Sequence, residues 1–415
     1  MRLTSLHAAL GEAPSVLSFD LVERAVAAQV TEGQRLDFKR ELPPQKGLGR
    51  SDLPKDVAAF ANAEGGMLVY GVTEKSSAAD QICGVARFDD NFERSIRQAV
   101  LNDISPPVHN VVVSALSDGN GTTVVTIEVP RSVDAPHCVN ADSEGARRTP
   151  LRTGSDTRWL SEAEVAASYR RRFAAHRDAE ETLRDLYERA YDLGRTKRRA
   201  WFVGVARPVI APWTTSRRDR DSARELISAA HRVSLANAGR GYFGAFGGVD
   251  LNPRPTLRGW TAPPGSGRTW HEPFVSVFDD GSVAVSSSVG GHRTSSGDAD
   301  PPHEIDTIFV ESAVIDLVGL MVRVGADSGV DEYDVQVGIE YEDQERPAMQ
   351  IWSKDTMGFR WDTDVRVHRF VPVRATISTN HLLMPQTADL ARDLVNQGGV
   401  SHLQLLDPDK LWEYP

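Results

Sequence analysis

The chain has 415 residues, more than one hydrophobic core usually serves, so two or three domains are expected. Its hydrophobic and charged fractions, 40% and 25%, exclude a disordered or low-complexity chain, and its two cysteines, Cys83 and Cys138, exclude a disulfide scaffold or a cysteine-rich zinc module. The net charge of −11 is uneven: residues 161–240 hold 17 Lys and Arg against 11 Asp and Glu, whereas residues 241–415 hold 13 against 26. A basic band beside an acidic part fits a protein that holds nucleic acid in one place and repels it elsewhere; it equally fits a solvated arginine-rich helix next to an acidic surface. The N-terminal residues carry no secretory pattern and no stretch is apolar enough to span a bilayer, so a cytoplasmic protein without a membrane partner is expected.

In chain order, Phe19 to Val30 has apolar residues at helical spacing, and residues 35–40 alternate apolar and charged as a strand does. Residues 42–50, with Pro43, Pro44, Gly47 and Gly49, form a basic loop. Ser51 caps a helix whose buried face is Val57, Phe60 and Ala61 and which stops at Gly65-Gly66. A continuous apolar strand covers 67–72, a helix 90–101, a strand pair 108–116 and 122–129, and, after an irregular stretch, a last short strand 148–154. Ser161 opens a charged helix that runs through Tyr169-Arg170-Arg171-Arg172 and, after a break, to about Leu193, with Lys197, Arg198 and Arg199 beyond it. A second set of elements follows: a strand at 200–206, a helix at 222–235, a Gly/Pro-rich connection over 239–267, a hairpin at 274–286, a helix at 304–324, strands at 333–341 and 366–377, and a helix at 387–396. The expectation is a mixed α/β (α+β) chain: a mixed-sheet domain over 1–160, a charged helical linker over 161–197, and a second α/β domain of unrecognised type over 198–415, which serves as a sensor or interaction domain for a protein or ligand trigger.

Residues two apart in a strand share a face, so Asp37 and Lys39 project together while Leu36 and Phe38 face the core. An acid and a lysine on one face suit a metal-dependent nuclease, and they also suit a plain cross-face salt bridge. Glu32 stands at the entry to the same strand and Glu74 just past the apolar strand 67–72, so neighbouring strands bring three carboxylates to one edge. Phe60 reads as core. Asn62 either bonds near the site or caps its turn, and Gly65-Gly66 reads as a backbone requirement for a sharp turn.

The segment Glu32-Gly33-Gln34-Arg35-Leu36-Asp37-Phe38-Lys39, then Lys55 to Gly66 with Phe60-Ala61-Asn62 and Gly65-Gly66, then Tyr70-Gly71-Val72, resembles the Schlafen-type AlbA domain. Ile127 to Ser132, Pro136 and Leu151 to Thr157 resemble its closing segments. The resemblance implies a nucleic-acid-acting domain, and in eukaryotic Schlafen proteins a nuclease whose three acidic residues cut transfer and ribosomal RNA. The matching positions are Glu32, Asp37 and Glu74, with Asp37 where the family commonly has Glu and Glu74 where it has Asp. The implied activity is a metal-dependent endoribonuclease acting on transfer RNA or other structured RNA, in antiphage defence; the alternative is a non-catalytic DNA- or RNA-binding transcriptional regulator on the same fold. The expected catalytic residues are Glu32, Asp37, Lys39 and Glu74, with magnesium or manganese on the three acids. Arg40, Lys46, Arg50, Arg147, Arg148 and Arg152 are the expected nucleic-acid contacts. RNA is favoured over DNA, a homodimer is the expected assembly because those nucleases use two such cores, and ATP has no Walker motif to receive it.

Overall fold

A computed structural model describes residues 4–12, 15–140, 146–194, 199–212, 217–266, 272–291, 301–342, 348–354, 360–379 and 382–414. They fall into two compact units, Met1–Asp178 and Ala179–Pro415. Lys197 and Arg198, and residues 141–145 of the irregular stretch, lie outside the described residues.

In the first unit the elements run α1 (Ser5–Leu10), α2 (Phe19–Ala27), β1 (Leu36–Lys39), α3 (Asp52–Asn62), β2 (Gly66–Tyr70), β3 (Val72–Lys75), β4 (Ala78–Ile82) and α4 (Asp90–Asp103). They continue with β5 (Ile104–Ser105), β6 (Val112–Ser117), β7 (Thr123–Val129), β8 (Cys138–Asn140), β9 (Arg147–Arg148), β10 (Pro150–Thr153) and β11 (Asp156–Trp159). A mixed sheet of order β1-β2-β7-β6 forms the middle layer, with β1 parallel to β2 and the other pairs antiparallel. Strand alternation divides the interior into two cores. Leu36 and Phe38 of β1 and Met67 and Val69 of β2 pack with Leu6, Leu21 and Val22 of α1 and α2. Leu68 and Tyr70 face the other way, onto Leu53, Val57 and Phe60 of α3 and Ile96 of α4.

The apolar run 67–72 is two strands rather than one. Gly71 adopts φ +96°, which breaks the ladder and turns the chain from β2 into the β3–β4 hairpin. The sharp turn before β2 needs its glycines: Gly65 has φ +73°, and a Cβ on Gly66 would stand 2.4 Å from the Phe60 ring. The 148–154 strand pairs with β11, a hairpin partner that the alternation of its residues does not announce. Helix α5 (Glu162–Gly194), which holds neither proline nor glycine before Gly194, is one element of 33 residues without the break expected from the sequence.

The second unit follows with β12 (Trp201–Pro208), α6 (Arg220–Asn237), β13 (Arg254–Thr256), β14 (Gly259–Ala262), β15 (Phe274–Phe278) and β16 (Val283–Ser288). Next come β17 (Glu304–Asp306), α7 (Thr307–Ser328), β18 (Glu332–Glu340), β19 (Gln350–Lys354), β20 (Arg360–Asp362), β21 (Val373–Ser378) and α8 (Leu383–Asn396). Seven strands form an antiparallel sheet of order β13-β14-β15-β16-β12-β18-β21, so the Gly/Pro-rich connection contributes a hairpin of its own. Phe202, Val285 and Val337 line one face under Leu226 of α6, Leu317 of α7 and Leu394 of α8; Val203, Val205 and Ala284 line the other under Leu183 and Leu186 of α5. The expected helix at 304–324 starts three residues later, because Glu304–Asp306 pairs with β19 and the Asp306 carboxylate accepts from the Ile308 N–H at 3.0 Å as the helix cap. No helix among the described residues is long and apolar enough to cross a membrane.

Candidate functional site

The parallel register sets Asp37 beside Leu68 and Lys39 beside Tyr70, on the sheet face that α3 covers. Asp37 is therefore enclosed, 2% exposed, in a place where an unpaired carboxylate is strongly disfavoured. Its partner comes from the far end of the unit. Arg152 of β10, itself 4% exposed, donates to Asp37 Oδ1 at 2.9 Å. The same guanidinium donates to the carbonyls of Gly33 (3.3 Å), Leu36 (3.4 Å) and Gly154 (3.1 Å), and lies 5.1 Å from the centre of the Phe60 ring. Asp37 Oδ2 lies 2.8 Å from Lys39 Nζ. That contact is an ion pair off hydrogen-bond alignment, since no aligned donor reaches this buried oxygen.

Glu32 reaches the site because the Glu32 N–H donates to the Ser77 carbonyl at 2.8 Å, which ties the entry of β1 to the β3–β4 turn. A register shift between Thr73 and Glu74 in that hairpin marks the bulge where Glu74 sits. Glu32 Oε1 accepts from the Phe38 N–H at 2.7 Å. Burial pushes the Glu32 carboxyl up to about 7; the Phe38 bond opposes that rise, and the negative charges of Asp37 and Glu74 add to it. Glu32 thus feels the charges of both Asp37 and Glu74 beside the Asp37–Lys39 ion pair. Burial alone lowers the Lys39 ammonium, but Asp37, Asp56 and Glu32 together hold it above the ordinary lysine range.

Asp56, a residue the sequence did not single out, belongs to this neighbourhood. It stands on the inner side of α3, and burial raises its carboxyl to about 6 against the lowering effect of Lys39 and Lys55. A signal was available: Asp56 is one residue before Val57 on the apolar stripe of its helix. Phe60 is core, fully buried under Arg152. Asn62 is a clamp between segments: its amide donates to the carbonyls of His137 (2.9 Å) and Pro150 (2.7 Å) and its oxygen accepts from the His137 N–H (2.7 Å).

Of the six cations expected to contact nucleic acid, Arg40, Lys46, Arg50, Arg147 and Arg148 are exposed. Arg152 is corrected. It is 4% exposed, and its guanidinium donates to Asp37 and to the carbonyls of Gly33, Leu36 and Gly154, so it lies inside the site and not on the surface. The expected magnesium or manganese does not suit the carboxylates as they stand. One oxygen of Asp37 is held by Arg152 and the other faces Lys39, so a cation there must first displace an ammonium. Among the described residues no group of three or more His, Cys, Asp and Glu is arranged to hold a metal ion.

Residues 32–161 match the family model described as Schlafen, AlbA_2. This segment is a Schlafen AlbA_2 domain. It takes up just under a third of the chain and contains the whole acid site, Asn62 and Arg152. No curated protein matches the chain. Among solved structures, the DIP2311 protein from Corynebacterium diphtheriae is similar at 18% identity, covering 52% of this chain and 39% of that one, with a TM-score of 0.24. A likeness of that size carries no argument about fold or function.

Proposed function

We propose that the AlbA_2 domain binds RNA and cleaves it as an endoribonuclease, with transfer RNA or another structured RNA as substrate. The observation that carries this reading is the meeting of Asp37 and Glu32 with Lys39 around β1: acids stand beside a cation for the phosphate. The exposed Arg40, Lys46 and Arg50 follow directly in the chain and supply phosphate contacts of the kind that position a nucleic acid without reading its sequence. In this reading the acidic second unit is the part that takes the trigger, and a second copy of the chain provides the second core.

The test is incubation of the full chain with transfer RNA beside a Glu32→Gln variant. Discrete fragments with the parent and at least a hundredfold fewer with the variant are expected; equal fragments from both, or none from either, would sink the reading. One observation favours a second reading, a non-catalytic DNA- or RNA-binding regulator: both oxygens of Asp37 are engaged by the protein's own cations, as in a structural salt bridge. Salt-sensitive binding that survives in Glu32→Gln, with no cleavage by either protein, is its signature.

A further inference from the structure

The first part of α5, up to Asp178, belongs to the first unit. From Val165 to Arg177 it holds four arginines and His176 and no Asp or Glu. One side of this stretch is turned to the domain: Ser168 is buried, Arg172 lies 2.8 Å from Asp134, and Arg171 donates to Ser168 Oγ at 3.0 Å. Residues three, four and seven apart on a helix share a face, which groups Tyr169, Arg170, Phe173 and Arg177 on another side. That side is open. Phe173 is 62% exposed and Tyr169 38%, and among the described residues neither Arg170 nor Arg177 pairs with an acid. An isolated exposed ring is ordinary on a protein surface. Two adjacent rings flanked by unpaired guanidinium groups are a different arrangement, because their chemistry has one matching partner. A nucleotide brings a flat base to stack on a ring and a phosphate for the charge beside it.

We propose that this face of α5 is a second nucleic-acid-binding site, one that takes an unpaired stretch of RNA: bases stack on Phe173 and Tyr169 while Arg170 and Arg177 meet the phosphates on either side. None of the cations assigned to the acid site belongs to it. The choice of RNA over DNA rests on the endoribonuclease reading; the choice of an unpaired strand rests on the rings, since a duplex keeps its base faces inside the stack and would meet the arginines alone. The spacing suits a strand. Arg170 and Arg177 are two helical turns apart, about 10 Å along the axis, which a strand at about 3.4 Å per nucleotide covers with about three phosphates, and Phe173 stands between them. Such a face carries no donors or acceptors arranged for base edges, so it holds a strand in place without reading its sequence.

The experiment measures binding of the full chain, by fluorescence anisotropy over a series of salt concentrations, to a labelled oligouridylate of about twelve nucleotides, a length within the range that single-strand surfaces cover. A base-paired RNA and a thymidine strand of the same length are run beside it, and light scattering follows the mass of each variant. Because the substituted side chains are exposed, the variants should melt with the parent. Phe173→Ala is expected to weaken binding of the oligouridylate about tenfold or more while leaving the salt slope in place, and Phe173→Trp to restore it. Arg170→Gln with Arg177→Gln should reduce the slope of log K against log salt by about 1.4, the share of two phosphate contacts on a single strand. Paired RNA should be indifferent to Phe173→Ala. Parent-level binding of the oligouridylate in both variants overturns the proposal, as does an equal loss for paired RNA in Phe173→Ala. Tighter binding of the thymidine strand than of the oligouridylate overturns the choice of RNA. A halved mass in Phe173→Ala with oligouridylate binding intact would assign the face to a second copy of the chain and overturn the proposal too. Cleavage of transfer RNA is scored separately: binding that depends on Phe173 without any cleavage leaves this site standing and removes the endoribonuclease reading, and cleavage by a chain whose binding ignores Phe173 does the reverse.

Discussion

Replacing Arg152 with methionine isolates what the buried ion pair contributes. The substitution keeps most of the side-chain volume but leaves Asp37, 2% exposed, without its aligned donor, and deprives the Gly33, Leu36 and Gly154 carbonyls of theirs. Removing one partner of a buried pair costs about 3–5 kcal/mol, far more than the pair is worth relative to two apolar residues. The loss of the guanidinium from the Phe60 ring adds roughly 0.5–2 kcal/mol. Hydrogen exchange at the amides of β1 and β2 reads this locally, since those strands carry Asp37 and its neighbours. Because a tenfold change corresponds to about 1.4 kcal/mol, the sum of about 3.5–7 kcal/mol predicts that protection in Leu36–Lys39 and Gly66–Tyr70 falls by about two and a half to five powers of ten. The double variant Arg152→Met with Asp37→Leu should recover most of the loss. A fall of less than tenfold, or a double variant no better than the single one, would show that Asp37 is solvated or paired elsewhere and would refute the reasoning.

Other expectations follow from the same geometry. Folded Glu32 titrates at about 7 against a usual 4.5, so it binds more protons folded than unfolded; its contribution is full below about 4.5 and is lost as the pH rises through about 7. Asp56, raised to about 6, acts in the same direction. The melting temperature should therefore fall between pH 5 and pH 8, and fall less in Glu32→Gln; identical falls would contradict the assignment. Asn62→Ala removes three bonds that join α3 to β8 and β10, and a loss of about 1–3 kcal/mol is expected in thermal or denaturant melts. Gly66→Ala places a methyl 2.4 Å from Phe60 and 2.8 Å from the Arg35 carbonyl, and about 1–3 kcal/mol is again expected; a neutral result would mean that Phe60 moves freely. Light scattering of the active full chain should give twice the chain mass, and a monomer that cleaves would remove the need for a second core.

The layout of the first unit was legible because its signals are local. Alternation in Leu36–Lys39, the Ser51 cap, the apolar stripe of α3 and the Gly65-Gly66 turn each depend on residues within a few positions, and the motif order over 32–157 pointed to the AlbA-type domain. Arg152 illustrates what was not legible. In sequence it is one arginine among several near the end of the domain; only the closure of β10 over α3, more than a hundred residues after Asp37, turns it from a surface charge into a buried partner. Asp56 was hidden for the opposite reason: on a helix wheel a single acid near the apolar stripe looks like a tolerated edge residue, and its charge acquires meaning only when β1 brings Lys39 up to it. The second unit yielded its main strands and helices but not β13, β14, β17, β19 or β20, which are three to five residues long and take their shape from their neighbours.

The late arrival of Arg152 also sets an order of assembly. Everything else in the acid site lies between Glu32 and Glu74, so a growing chain can fold that stretch early, and until β10 is made it must carry Asp37 with Lys39 beside it but without the buried Arg152. A truncated piece ending before Pro150 would have every acid of the site and none of the closure. Such a fragment would expose Phe60 and α3 to water, and should be insoluble or proteolysed where a fragment ending beyond Trp159 is not.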